Sequence, residues 1–208
     1  MLLFPDRPFE TAGGFADAYF DQLSLAWMSV DRGAIQSASK MLAAAVAADV
    51  SIFSCGNGGS AAISNHLLCD CLKGVQAGTA LRPRVHSLSN GVELITAIVN
   101  DIGPEEMFAL PLRSLGRAED VLIAISSSGA SRNVVRAIQT AADIGMKTIA
   151  MTGFDGGEAA KLANVSLHVD AANYGIVEDV HQSLMHILAQ NLRQSHLADR
   201  GQFGAVRF

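Results

Sequence analysis

Two short stretches hold the residues best suited to chemistry. Gly56-Asn57-Gly58-Gly59-Ser60 interrupts one apolar run, and Ser126-Ser127-Ser128-Gly129-Ala130-Ser131 interrupts another. Glycines let backbone N–H groups approach an anion, and the start of a helix adds a positive dipole end. Serine hydroxyls supply further donors. A helix cap needs one such hydroxyl, yet the second stretch has four serines in six residues. This points to a bound anion, for which a sugar phosphate is the natural candidate. No Lys follows the glycines, so neither stretch is a nucleotide P-loop. The third Gly of a dinucleotide fingerprint is also missing.

A second set of residues could hold a metal or move protons. His66 and Asp70 stand four apart, so a helix would place them on one face. A later segment offers Glu178, Asp179, His181 and His186. Two helices, each with His and carboxylate, supply the nitrogen and oxygen ligands that zinc or another borderline cation accepts. Asn100-Asp101 precedes Ile102-Gly103-Pro104 and reads as a helix end with a turn. Cys69 and Cys71 are too closely spaced for a zinc knuckle and read as small apolar fillers on a buried helix.

The elements that would position these residues follow from periodicity. Phe9 to Ala48 reads as two helices with a break near Asp31-Arg32-Gly33. Leu23, Trp27 and Val30 form one stripe, and Ile35, Ala38 and Leu42 form another. "VSIFSC" is a short strand, followed by the glycine turn and a helix to about Lys73. "VHSLS", "DVLIAIS", "KTIAMTG" and "VSLHVD" read as further strands, and helical stretches lie near 91–99 and 104–115. A turn and helix close at Gly145, "GGEAAKLA" is a short helix, and "VEDVHQSLMHILAQNLRQSHLA" is a long one. Strands alternating with helices predict a parallel sheet covered on both faces. Ligands bind such sheets at the carboxyl ends of the strands. This puts the glycine turn and the serine stretch on one rim.

Composition bounds the class. The chain has 208 residues, half of them hydrophobic and 17% charged, with a net charge of −5. That excludes a disordered chain, and a chain of this length buries roughly 70% of its unfolded surface without disulfide staples. With no basic cluster, direct nucleic-acid binding is not expected. Apolar runs such as Leu42 to Ala48 are far too short to span a membrane. Three cysteines, Cys55, Cys69 and Cys71, predict reduced thiols and a cytoplasmic location. The expected organisation is a helical segment over 1–48 that belongs to the same domain and forms an oligomer contact. A main domain covers 49–195, and a tail without period covers 196–208.

Taken together, "CGNGGSAAISNH", "ITAIVNDIGPEEMF", "DVLIAISSSGASRNVVRAIQTAADIGMKTIAMTG" and "VEDVHQSLMHIL" resemble, in order and spacing, the sugar isomerase (SIS) domain family. The resemblance covers about residues 10 to 195 and is closest to the phosphoheptose isomerases. It implies an α/β, three-layer, flavodoxin-like parallel sheet with flanking helices and an N-terminal helical extension. It also implies a homotetramer with sites at subunit contacts, and conversion of sedoheptulose 7-phosphate to a heptose 7-phosphate for lipopolysaccharide or surface-glycan precursors. By the same resemblance, Asn57, Gly58, Gly59 and Ser60 line the substrate, Asn100 and Asp101 touch the sugar, and Ser126, Ser127, Ser128 and Ser131 hold the phosphate. A zinc ion falls to His66, Asp70, Glu178 and His186, with Glu178 also near the substrate, Asp70 as base and His186 as acid partner.

Two positions depart from the family pattern. Asp70 stands where Glu is usual, and Glu178 stands where Gln is usual. On a regular helix Glu178 lies about 80° from His186 and Asp179 about 20° from it, so Asp179 competes with Glu178 as a ligand. Some SIS proteins bind phosphosugars or partner proteins without catalysis, and one relative regulates a bacterial replication initiator. That binding role is the alternative to an isomerase.

Overall fold

The computed structural model describes residues 3–199 and 201. The tail predicted over 196–208 lies largely outside these residues. Five parallel strands form one sheet: β1 (Ser51–Gly56), β2 (Arg84–Ser87), β3 (Val121–Ser126), β4 (Lys147–Thr152) and β5 (Val165–His168). Their order is β2-β1-β3-β4-β5. The helices are α1 (Ala12–Ser29), α2 (Arg32–Ala47), α3 (Gly59–Cys69), α4 (Val92–Asp101), α5 (Ala109–Leu115), α6 (Arg132–Ile144), α7 (Gly157–Leu162) and α8 (Tyr174–Gln194). This is the parallel sheet covered on both faces that the alternation predicts, in the three-layer, flavodoxin-like form that the resemblance implies.

The central strands are buried on both faces, which explains their unbroken apolar runs. Ile52, Ile123, Ile125, Ile149 and Met151 face a core completed by α1, α2, α3 and α8. Phe53, Cys55, Leu122, Ala124 and Ala150 face the other core, with Leu112 of α5 and Val134, Ala137, Ile138 and Ala141 of α6. The first two helices contribute Ala26, Val30, Ala38, Leu42 and Ala45 to the former core. The break between them is an N-cap, where Asp31 accepts a hydrogen bond from Gly33 N at 2.8 Å.

One predicted element takes a different form. The helix expected to run to Lys73 stays α-helical only to Cys69 and continues as a π-helical turn over Asp70–Val75. The wider turn keeps Cys71, Gly74 and Val75 buried beneath α8. Asp70 opens this turn, and π-helical turns of this kind occur often at functional sites.

The edge of the sheet opposite the serine rim is held by Asp120, which is 4% exposed. Its carboxylate accepts hydrogen bonds from Ser51 N at 2.7 Å and Arg117 N at 2.9 Å. Asp120→Ala leaves the buried Ser51 N–H unpaired. It is therefore expected to destabilise the fold by about 1–3 kcal/mol in urea unfolding. A change well under half a kcal/mol would mean that water replaces the carboxylate.

Candidate functional site

In this strand order the chain reverses direction between β1 and β3, and the crevice above that switch point is the usual place for a ligand. Here β1 ends in the glycine turn and β3 in the serine stretch. A cavity of about 110 Å3 lies between them, lined by Asn57, Ser60, Ser126, Ser127, Ser128, Ser131, Tyr174 and Glu178 among others. The sequence reading placed the two loops on one rim, and the structure brings them together. Ser127 Oγ is buried and has no hydrogen-bond partner among the described residues. An unpaired hydroxyl on a cavity wall fits a ligand that brings its own acceptors.

Several contacts hold the two loops in place. Asn57 and Asn133 exchange side-chain hydrogen bonds at 2.9 and 2.8 Å. Ser126 Oγ donates to Ser131 Oγ at 3.2 Å, and Gly153 N donates to Ser127 O at 2.8 Å. Gly129, at φ +65°, packs its backbone directly on Gly156 and Gly157 at the start of α7. A Cβ on Gly59 would collide with the Glu178 carboxylate, so that glycine lets α3 and α8 approach. Sequence reasoning missed Asn133 and Tyr174. Asn133 lies just beyond the serine stretch, within a quoted motif but with no role read for it, and Tyr174 lies at the start of the long helix, outside any motif.

Both α3 and α8 begin at this rim and run away from it side by side. About two to three turns along, His66, Asp70 and His186 come together, with one donor atom from each within 4.8 Å of the others. His186 Nδ1 lies 2.8 Å from Asp70 Oδ2, and His66 Nε2 lies 3.4 Å from Asp70 Oδ1. The Asp70 side chain is 12% exposed and that of His66 44%, so the group opens to solvent on one side. Two imidazoles and a carboxylate are the three-ligand set of a catalytic zinc site that keeps one position open. The residues present therefore fit a metal ion.

The remaining candidates on α8 lie elsewhere. Asp179 accepts a hydrogen bond from the Tyr19 hydroxyl at 2.7 Å. Asp179 is not among the three residues that come together. Glu178 is not drawn into the His66–Asp70–His186 group, and its carboxylate lies over Gly59 at the serine cavity. Burial, reinforced by the neighbouring Asp179 charge, raises its pKa. His181 is fully buried, and desolvation pushes its pKa down to about 4. Asn100 and Asp101 end α4 in exposed positions, with Asn100 Nδ2 donating to Asp101 Oδ1 at 2.6 Å. The structure does not bring them to the cavity.

The sheet order, the serine rim at its switch point and the helices on both faces define a SIS-domain protein, and residues 18–153 match that family. A phosphoheptose isomerase of Colwellia psychrerythraea is 37% identical over 159 residues, which is 75% of this chain and 81% of the relative. One of Halorhodospira halophila is 34% identical over 194 residues, covering 91% and 94%. The chain belongs to the phosphoheptose isomerase family of SIS-domain proteins. A solved phosphoheptose isomerase from Francisella tularensis superposes with a TM-score of 0.81 at 29% identity, covering 88% of this chain and 99% of that one. One from Neisseria gonorrhoeae gives 0.80 at 31% identity, covering 88% and 98%.

Proposed function

We propose that this chain is an aldose–ketose isomerase that converts sedoheptulose 7-phosphate to D-glycero-D-manno-heptose 7-phosphate through an enediol. The observation that carries the reading is the offset between an anion cavity and an acid–base group on the same two helices. His66 follows Ser60 by six residues, about 9 Å along α3. A sugar phosphate has this layout, with its phosphate remote from the reacting C1 and C2. Binding energy from the phosphate then orients the carbons at the distant group.

In this reading Ser126, Ser127, Ser128 and Ser131 hold the phosphate, and Asn57, Gly58, Gly59, Ser60 and Glu178 border the sugar. Asp70 takes the proton from C1 of the ketose and returns it to C2. His186, 2.8 Å from Asp70, moves the proton between O1 and O2 as the carbonyl changes position. His66, Asp70 and His186 form the metal-binding group. A zinc ion there, one per subunit, supplies Lewis acidity to the carbonyl oxygen.

The same reading includes a homotetramer with sites at subunit contacts, and Asn100 and Asp101 touching the sugar. Val92, Leu94 and Ile102, all more than half exposed around α4, support an apolar seam beside them. It also includes a cytoplasmic location, supported by three free cysteines, and product use in lipopolysaccharide or surface-glycan precursors. The isomerase relatives at 34–39% identity do not favour the binding-only alternative. Incubating the zinc-loaded protein with sedoheptulose 7-phosphate and following the sugar by NMR tests the reading. The aldose heptose 7-phosphate is expected to accumulate to equilibrium, and no turnover would overturn the assignment.

A further inference from the structure

Gln182 lies on α8 midway between Glu178 and His186, four residues from each and on the same face. It is half-buried. Its amide nitrogen is 3.0 Å from His66 Nδ1 and 3.0 Å from His186 Nε2. The two imidazoles stand at 90° with centroids 4.8 Å apart. Asp70 meets the other nitrogen of each ring, at 2.8 Å for His186 Nδ1 and 3.4 Å for His66 Nε2. Asp70, His186, Gln182 and His66 thus close a ring of polar contacts.

Donor and acceptor chemistry sets the direction around this ring. A carboxylate only accepts, so His186 Nδ1, 2.8 Å from Asp70, carries its hydrogen, and the Gln182 amide that donates to His66 Nδ1 leaves the hydrogen of that ring on Nε2. In the neutral rings, His66 is then protonated at Nε2 and His186 at Nδ1. The opposite nitrogens carry lone pairs, and the two hydrogens of the Gln182 amide meet one each. The reversed amide would aim its carbonyl oxygen at both lone pairs. Two imidazole lone pairs therefore converge on one point, which a borderline cation could take. Asp70 orients both rings from the far side, as carboxylates commonly do for metal-binding histidines, and keeps a carboxylate oxygen for the proton.

We infer that Gln182 belongs to the metal centre: its amide holds His66 and His186 in metal-ready tautomers and, turned over, presents its Oε1 to the ion. Rotation about the last side-chain torsion of Gln is broad, so one residue can serve the empty and the loaded site. This rests on the metal reading above. Gln182 Oε1 then takes the place of Asp70 as third ligand beside His66 Nδ1 and His186 Nε2, Asp70 stays behind the two rings, and Glu178 stays at the rim.

The test compares wild type, Gln182→Met and Gln182→Glu. Zinc affinity is measured by chelator competition, and histidine tautomers are read by 15N NMR in the metal-free protein. Gln182→Met keeps the volume but loses the amide, so zinc binding is expected to weaken about 10- to 100-fold. The fixed tautomers of His66 and His186 should be lost with it. Gln182→Glu keeps an oxygen ligand and should bind zinc within a few-fold of wild type. Should Gln182→Met melt early, Gln182→Asn, too short to reach both rings, carries the same expectation. Zinc affinity within twofold of wild type in the variant lacking the bridge overturns the inference. If wild type itself binds no zinc, the metal reading falls. The tautomers then decide the bridge alone, and unchanged tautomers without it overturn that too.

Discussion

Asp70→Asn is expected to lower kcat by about 10²- to 10⁴-fold while the protein stays folded. The amide keeps the shape of the carboxylate but cannot take a proton from carbon. It also lacks the second acceptor oxygen of the carboxylate, which accepts from His186 Nδ1 at 2.8 Å and faces His66 Nε2 at 3.4 Å. The tautomer of His186, and hence the shuttle between O1 and O2, would be disturbed along with the base. KM for the sugar phosphate should change far less, because the proposed phosphate site is built from serines on other elements. Steady-state kinetics with a melting curve decides the matter. A variant within threefold of wild type in kcat removes Asp70 from the proton transfer.

The second large effect concerns a residue with no reactive group. In Gly129→Ala the new Cβ meets backbone on every near side: the carbonyl of Gly156, and Gly157 N at 3.0 Å. Backbone cannot swing aside as a side chain would. The position also has φ +65°, which costs an L side chain about 1–2 kcal/mol. Overpacking adds roughly 1–3 kcal/mol. Urea unfolding should therefore show a loss of about 2–5 kcal/mol. The relief available to the chain is to lift the Ser126–Ser131 loop off α7. That opens the cavity proposed to hold the phosphate, and KM should rise at least tenfold. Unchanged stability and KM would show that the two loops do not depend on each other.

Much of this was legible in the residues. The strand "DVLIAIS" declared itself because a strand buried on both faces carries no polar alternation. The break at Asp31 followed from a capping side chain. The serine stretch stood out because it holds more hydroxyls than a cap needs, and Ser127, whose Oγ has no partner among the described residues, lines the cavity. The spacing of His66 and Asp70 put them on one face, where they lie.

The remainder needed the tertiary structure. The π-helical turn at Asp70–Val75 follows from packing against α8, and no local propensity marks it. Helix angles alone pitted Asp179 against Glu178, but Tyr19 of α1 took Asp179 and the close approach at Gly59 left Glu178 at the rim. Gln182 reads in sequence as an ordinary polar position. It becomes part of the site only because α8 brings it to His66, 116 positions earlier.

The alternation of elements, the two loops that line the cavity, the His and carboxylate pairs, and the family were all legible in the residue order. These depend on neighbours within one or two turns, where periodicity and capping act. Only the folded chain decided which of the α8 side chains join His66 and Asp70, and which glycines bear backbone against backbone. Those contacts depend on how two helices and two loops approach one another, and nothing in the local pattern encodes that distance.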